Sequence, residues 1–156
     1  MAYCLDDLGY IYEKRGDYDS AEALYKRALA IFEKANGPDD TLVATCLNNL
    51  GYLYYTKGDY NSAEPLYKRV LAIWEKAKGP DSTDVATALN YLGNLYKNRG
   101  NFASAEPLLK RALAIWEKVK GPDNPDVATC LNNLGLLYYT RGNYASAEPL
   151  LKRALA

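Results

Sequence analysis

The sequence predicts an all-α solenoid of four helix-turn-helix repeats of about 42 residues, and three observations support this prediction. Glycines recur at this interval in three registers, which together contain all eleven glycines of the 156-residue chain. Longer strings recur at multiples of that spacing, namely VATCLNNLG at 43–51 and 127–135, and ASAEPLLKRALA at 103–114 and 145–156. Within each copy the apolar residues lie three and four positions apart, as in a helix with one buried face. The copies span approximately 1–36, 37–78, 79–120 and 121–156, and we expect them to form one domain.

Each copy contains two helices, which we call A and B. In the second copy the apolar face of helix A contains Val43, Leu47, Leu50, Gly51 and Tyr54, and that of helix B contains Ala63, Tyr67, Val70, Leu71 and Trp74. The small residues Gly51 and Ala63 suit a close approach of the two helices. The predicted helices are 2–15, 19–36, 41–57, 61–78, 83–99, 103–120, 125–141 and 145–156.

Turn and cap residues separate these helices. Gly58 is expected to end helix A with a positive φ, and Gly79-Pro80-Asp81 to end helix B and cap the next helix A. Capping also accounts for the acidic residues at the helix entrances, which are Asp39, Asp40, Asp81 and Asp84. Proline recurs early in helix B at Pro65, Pro107 and Pro149. These prolines are expected in the first turn, where a missing N–H is tolerated, or else to kink the helix.

The second copy resembles a tetratricopeptide repeat (TPR) in the order, spacing and type of its residues. The resemblance is carried by Leu47, Leu50, Gly51, Tyr54, Gly58, Tyr60, Ala63, Tyr67 and Val70. Ordinary members have repeats of about 34 residues. The strings LNNLG, GDYxxAEPLYKRxLAI and GPD are instead similar to the longer, 42-residue subclass of kinesin light chains and of bacterial and fungal arrays. The resemblance implies an α-α superhelix, a TPR-like solenoid that binds proteins or peptides.

Composition excludes several other functions. Lysine plus arginine and aspartate plus glutamate number 19 each, so no net field draws the chain to nucleic acid. The sequence shows no transmembrane run and no signal peptide, which predicts a cytoplasmic protein that does not bind membranes. Histidine is absent, which removes the commonest general base and metal ligand. Neither an enzyme nor a cofactor or metal site is therefore expected.

Other residue types invite functional interpretations that packing or solvation explains better. Cys4, Cys46 and Cys130 occupy equivalent positions of helix A, too far apart for disulfides, and are expected to be small buried side chains. The aromatic residues at one register of helix B, Phe32, Trp74 and Trp116, are expected to pack against the next copy. The recurrent Lys-Arg pairs of helix B alternate with acids and are expected on a solvated outer face.

A second face of helix A carries amides, hydroxyls and phenols. Asparagine is a weak choice inside a helix, so its recurrence calls for a reason. An amide can bond to the backbone of an extended peptide, and tyrosine adds flat contact area. Kinesin light chains hold cargo peptides on the equivalent concave surface, and the resemblance implies a peptide-binding groove here. Its residues are Asp6, Tyr10, Thr45, Asn48, Asn49, Tyr52, Tyr55, Thr87, Asn90, Tyr91, Asn94, Lys97, Thr129, Asn132, Asn133 and Tyr139.

Two alternatives remain open at this point. The amides could instead bond to each other and lock the stack of repeats, in a purely structural spacer or a self-associating segment of a larger signalling protein. A clamp for a terminal carboxylate is not expected, since Lys97 is the clear cation of the third copy and the groove has few others. Helix B of the last copy stops before IWEK, so we expect a fragment of a longer array whose uncapped ends stack head to tail.

Overall fold

The computed structural model describes residues 2–155, apart from the side chain of Cys4, and the regular structure in this range is entirely helical. The helices are α1 (Ala2–Lys14), α2 (Tyr18–Asn36), α3 (Thr41–Thr56), α4 (Tyr60–Lys78), α5 (Thr83–Asn98), α6 (Phe102–Lys120), α7 (Pro125–Thr140) and α8 (Tyr144–Leu155). Every described boundary lies within one residue of its prediction, which confirms the four helical hairpins. The predicted helix end at Ala156 lies outside the described residues.

The chain divides into two compact units, residues 1–77 and 78–156. In the first unit α1 packs on α2 and α2 packs on α3, while α4 lies against α3. In the second unit α5, α6, α7 and α8 pack in succession, each on the next. Each unit therefore contains two helices of type A, with a helix of type B packed between them and a second helix of type B packed on the later one.

The turn from helix A to helix B follows from three consecutive residues in the second copy. Lys57 ends α3 with helical dihedrals, and Gly58 then takes a φ of 78°, where a side chain would be strained. Asp59 accepts a hydrogen bond of 3.1 Å from the N–H of Ser62 and so begins α4 at Tyr60. The predicted positive φ is confirmed, and helix B begins one residue earlier than predicted because Asp59 is its cap.

The turn from helix B to helix A corrects part of the capping prediction. Asp40 does cap α3, accepting from the N–H two residues on at 2.9 Å. Ser82, however, caps α5, and Asp81 instead forms a 3.0 Å ion pair with a lysine of α6. Asp39 likewise pairs with a lysine of α4, and Asp84 lies in the first turn of α5. The residue directly before each helix is the N-cap, because only its side chain reaches the free N–H groups of the first helical turn.

Proline of helix B lies in the second turn rather than the first. Pro65 is the sixth residue of α4, and Pro107 and Pro149 hold the same place in α6 and α8. The prediction of a first-turn position was wrong, because the cap at Asp59 starts the helix well before Pro65. The carbonyl of Asn61 consequently receives no hydrogen bond from the proline four residues on.

Close helix packing explains the glycines inside the type A helices and the buried aromatic residues. A Cβ atom on Gly51 would lie 2.9 Å from the ring of Tyr67, which is fully buried, so α3 and α4 meet as predicted. Phe32, Trp74 and Trp116 are all buried, in agreement with a packing role. Both described cysteine thiols, Cys46 and Cys130, are free and buried. The Cys4 side chain lies outside the described part of the chain.

Candidate functional site

The predicted groove residues lie on the type A helices of each unit, and we call the two surfaces the helix-A faces. The face of the first unit, on α1 and α3, contains Asp6, Tyr10, Thr45, Asn48, Asn49, Tyr52 and Tyr55. The face of the second unit, on α5 and α7, contains Thr87, Asn90, Tyr91, Asn94, Lys97, Thr129, Asn132, Asn133 and Tyr139. Residues on each face differ in burial, and this separates side chains that hold neighbouring helices together from those open to a partner.

Amide groups link neighbouring type A helices within each unit. In the first unit the side-chain amide of Asn49 donates to the carboxylate of Asp6 at 3.0 Å, joining α3 to α1. In the second unit Asn133 donates to the side-chain oxygen of Asn90 at 3.1 Å, joining α7 to α5. The two bonds connect equivalent positions of successive copies. These three asparagines therefore have a structural role in holding adjacent repeats.

Several polar groups on these faces are shielded from water. Burial raises the pKa of Asp6, although the hydrogen bonds from Asn49 and Cys46 oppose this. Burial also raises the pKa of the Cys46 thiol to about 12, with the nearby Asp6 carboxylate adding to the effect. The side-chain oxygens of Asn48 and Asn94 are buried and have no hydrogen-bond partner in residues 2–155. An unsatisfied buried acceptor of this kind costs free energy in the folded state.

Other side chains of the faces are open to solvent. Tyr10 is 54% exposed and Tyr139 is 57% exposed. Thr45, Thr129 and Asn132 are also exposed. The threonine hydroxyls donate to carbonyls one turn back in their own helices, at 3.1 Å for Thr45 and 2.9 Å for Thr129. Among the described residues, these exposed side chains contact no neighbouring type A helix through a hydrogen bond, so a partner could reach them.

Lys97 is a half-buried cation on the second face. Its ammonium lies 3.4 Å from the side-chain oxygen of Asn133 and forms no ion pair within the described part of the chain. Burial lowers its pKa, because a desolvated ammonium without a carboxylate is disfavoured. The second face therefore offers positive charge that no described acid compensates.

A polar cluster between helix B and the next helix A was missed in the sequence prediction. Glu22 of α2 accepts hydrogen bonds from the hydroxyl of Tyr54 in α3 at 2.8 Å and from Lys57, which directly follows α3, at 3.2 Å. It also accepts from Lys26 at 2.7 Å. These donors lower the pKa of Glu22 to about 2, with Lys26 contributing most.

The same cluster recurs in the second unit. Glu106 of α6 accepts a hydrogen bond from the hydroxyl of Tyr138 in α7 at 2.7 Å and pairs with Arg141, which directly follows α7, at 3.0 Å. The three residue types recur in the sequence with the period of the repeats, and this spacing was the signal that could have revealed the cluster. It is a structural clip rather than a binding site, because its groups satisfy each other.

Two other kinds of site are absent from the described residues. Within residues 2–155, no group of three acidic or cysteine side chains is placed to hold a metal ion. No described helix combines the length and apolar character needed to span a membrane.

Comparison with known proteins assigns the family. The tetratricopeptide repeat family model matches residues 1–76, 53–111 and 84–156, so the chain belongs to the tetratricopeptide repeat family. No curated protein matches the chain closely enough to count as a relative. Repeats of this family generally mediate protein–protein interactions, in non-enzymatic scaffolds.

Solved structures similar to this chain include kinesin light chain-like repeat proteins. BtubC (BKLC) from P. vanneervenii is 30% identical over 98% of this chain, with a TM-score of 0.90, and this chain spans 61% of its length. A putative kinesin light chain of Podosopora anserina with nearly identical TPR-like repeats is 22% identical over 97% of this chain and 72% of its own, with a TM-score of 0.86. The latter shows the fold alone. The predicted all-α class and the kinesin-light-chain-like subclass are both confirmed.

Proposed function

We propose that this chain is a protein-binding scaffold that holds a peptide segment of a partner on its helix-A faces. The proposed binding surface consists of the sixteen residues that the sequence predicts for the groove. Exposure divides them, because Asn49, Asn90 and Asn133 are already bonded between helices while Tyr10, Tyr139 and the exposed polar residues are open. The bonded asparagines fix the spacing of the faces, and the open residues supply the contacts.

The half-buried ammonium of Lys97 gives the strongest support for this proposal. A half-buried ammonium with only an amide oxygen at 3.4 Å is stabilised when an anion approaches it. We therefore expect the second face to select a peptide with an acidic side chain.

A random peptide library tests both parts of the proposal. The wild type is expected to retain peptides with a shared acidic position, and Lys97→Met is expected to lose that position because the cation is gone while the side-chain length is kept. Lys118→Met is the matched control, since its ammonium lies on the outer surface and pairs with Asp81 at 3.0 Å. An acidic position that survives in Lys97→Met would contradict the role of this residue, and no retained peptide at all would contradict the proposed function.

A second candidate is a purely structural spacer or a self-associating array segment within a larger signalling protein. The bonds from Asn49 to Asp6 and from Asn133 to Asn90 favour it, because they show amides used within the stack. This candidate requires that the wild type retain no peptide while Asn49→Ala still loses stability. Peptide retention by the wild type and the denaturation curve of Asn49→Ala together therefore distinguish the two candidate functions.

A further inference from the structure

Lys97 differs from every other lysine of the second unit in its surroundings. The others each form an ion pair with a carboxylate, and they are Lys78, Lys110, Lys118, Lys120 and Lys152. Within the described residues Lys97 has no such partner, and its ammonium lies 3.4 Å from the side-chain oxygen of Asn133. Because Lys97 is half-buried, its charge has lost part of its hydration without gaining an acid in exchange.

Neutral amides form the polar surroundings of Lys97. Asn133 of α7 accepts from the ammonium and donates its own amide to the side-chain oxygen of Asn90 at 3.1 Å. Asn94 donates to the same oxygen at 3.4 Å. Asn90 is only 8% exposed, so this network lies against the interior of the unit. Such surroundings suit an uncharged hydrogen-bonding group better than a cation, because amide groups do not neutralise its charge.

These surroundings change the balance between the protonated and the neutral amine. Burial lowers the pKa of Lys97, and no described acid opposes this effect. The hydrogen bond with Glu106 instead raises the pKa of Lys110. Only a neutral amine has the lone pair that attacks a carbonyl carbon. At neutral pH a larger fraction of Lys97 than of Lys110 is therefore nucleophilic.

We propose that the half-buried amine of Lys97 is a modification site, which small acyl phosphates acylate in preference to the paired lysines. The neutral Nζ attacks the carbonyl carbon and forms a C–N bond, the C–O bond to phosphate breaks, and phosphate leaves with the electron pair. The proton released from nitrogen passes to water. The product is a neutral amide whose N–H can still donate to Asn133, so acylation removes the poorly solvated charge and keeps the hydrogen bond.

Acylation of Lys97 would also change what the second helix-A face binds. The counterparts of Lys97 in the other copies are Glu13, Tyr55 and Tyr139, so this position carries an amine in the third copy alone. A neutral amide in place of the ammonium removes the charge that is expected to select an acidic peptide. This consequence rests on the proposed function, whereas the modification itself does not.

Acetyl phosphate is the probe, and peptide mass mapping gives the acetylation rate of each lysine in the folded wild type. At pH 7.5 Lys97 is expected to react at least about threefold faster than Lys110 and Lys118. This ratio is expected to fall at pH 10, because the neutral fraction of the paired lysines then still rises steeply while that of Lys97 approaches its limit. A Lys97 that reacts no faster at pH 7.5, or a ratio that does not fall at pH 10, would overturn the proposal.

Asn133→Asp supplies the acid that Lys97 lacks. Its carboxylate takes the place of the amide oxygen at 3.4 Å and is expected to slow acetylation of Lys97 about threefold or more, with Lys110 unchanged. Asn124→Asp is the matched control, since it adds the same charge at the cap of α7, where aspartate also caps. Equal slowing by both variants, or no slowing in a folded Asn133→Asp, would contradict the proposed cause. If circular dichroism shows Asn133→Asp unfolded, the comparison of lysines within the wild type decides alone.

Two further measurements separate the modification from its consequence. In urea the preference for Lys97 is expected to disappear, and a preference that persists in the unfolded chain would show that burial is not its cause. In the peptide library, wild type acetylated at Lys97 is expected to lose the acidic position, and an acidic position that survives complete acetylation would overturn the effect on binding. An unmodified wild type that retains no peptide would contradict the proposed function, while the acetylation rates would still decide whether Lys97 is the preferred site.

Discussion

Glu22 lies in a clip that joins α2 to α3, and its replacement by glutamine tests how much this clip stabilises the first unit. Its carboxylate accepts from Lys26 at 2.7 Å, from the hydroxyl of Tyr54 at 2.8 Å and from Lys57 at 3.2 Å. Glu22→Gln keeps the size of the side chain and an acceptor for the tyrosine, but it removes the charge that attracts both lysines. We expect a loss of stability at neutral pH.

The pKa of Glu22 gives the size of this loss. It falls from 4.5 to about 2, and each pKa unit corresponds to somewhat more than 1 kcal/mol, so the upper limit is about 3 kcal/mol. The side chain is 21% exposed and its lysine partners are solvated, so screening lowers the expected loss to about 1–2 kcal/mol. Because the pKa is lower in the folded protein, the contribution is present above pH 4.5 and disappears as the pH falls towards 2.

Urea denaturation at pH 7 and pH 3 measures this effect. The difference in unfolding free energy between wild type and Glu22→Gln is expected to fall at pH 3 to less than about half its value at pH 7. Glu148→Gln is the matched control, since its carboxylate is 66% exposed and, among the described residues, its ion pair is with Lys152 of the same helix. Equal stability of wild type and Glu22→Gln at pH 7, or a loss that is unchanged at pH 3, would refute the electrostatic reasoning.

Three further predictions follow from packing and burial. Gly51→Ala is expected to destabilise by about 1–3 kcal/mol in thermal or urea unfolding, because its Cβ would lie 2.9 Å from the buried ring of Tyr67. Asn49→Ala is expected to cost about 1–2 kcal/mol through its lost bond to a carboxylate, whereas the exposed Asn132→Ala is expected to leave the unfolding curve unchanged. Cys46 is expected to resist iodoacetamide at pH 8 and to react in urea, because burial raises its thiol pKa to about 12, and peptide mass mapping would detect the modification.

The helices could be predicted closely because their limits depend on local signals. Gly58 needs a positive φ wherever it occurs, and Asp59 caps the helix that begins next to it, so neither depends on distant residues. The errors concern residues whose role is settled in three dimensions. Asp81 looks like a cap in the sequence, yet it pairs with Lys118, which is 37 residues away. The nearby ammonium offers this carboxylate a partner that local reasoning does not include.

The helix-A faces were predicted by residue spacing, but the exposure of each side chain on them could not be. The string VATCLNNLG contains both Asn48 and Asn132 at its sixth position, so the two have the same local sequence. Asn132 is nevertheless exposed, while the side-chain oxygen of Asn48 is buried. Neighbouring helices decide which amide is covered, and the same limit explains why the clip at Glu22 was missed although its residues recur.

The division between bonded and open side chains bears on how the proposed scaffold would bind. The links at Asn49 and Asn133 hold pairs of type A helices at a fixed spacing before any partner arrives. A surface that is already ordered loses less conformational entropy on binding, so even a few exposed contacts such as Tyr139 can contribute affinity. Removing a link is therefore expected to weaken peptide binding although the changed residue does not contact the peptide. The amides that hold the stack of repeats then also contribute to peptide binding, so the structural and the binding interpretations of the asparagines are compatible.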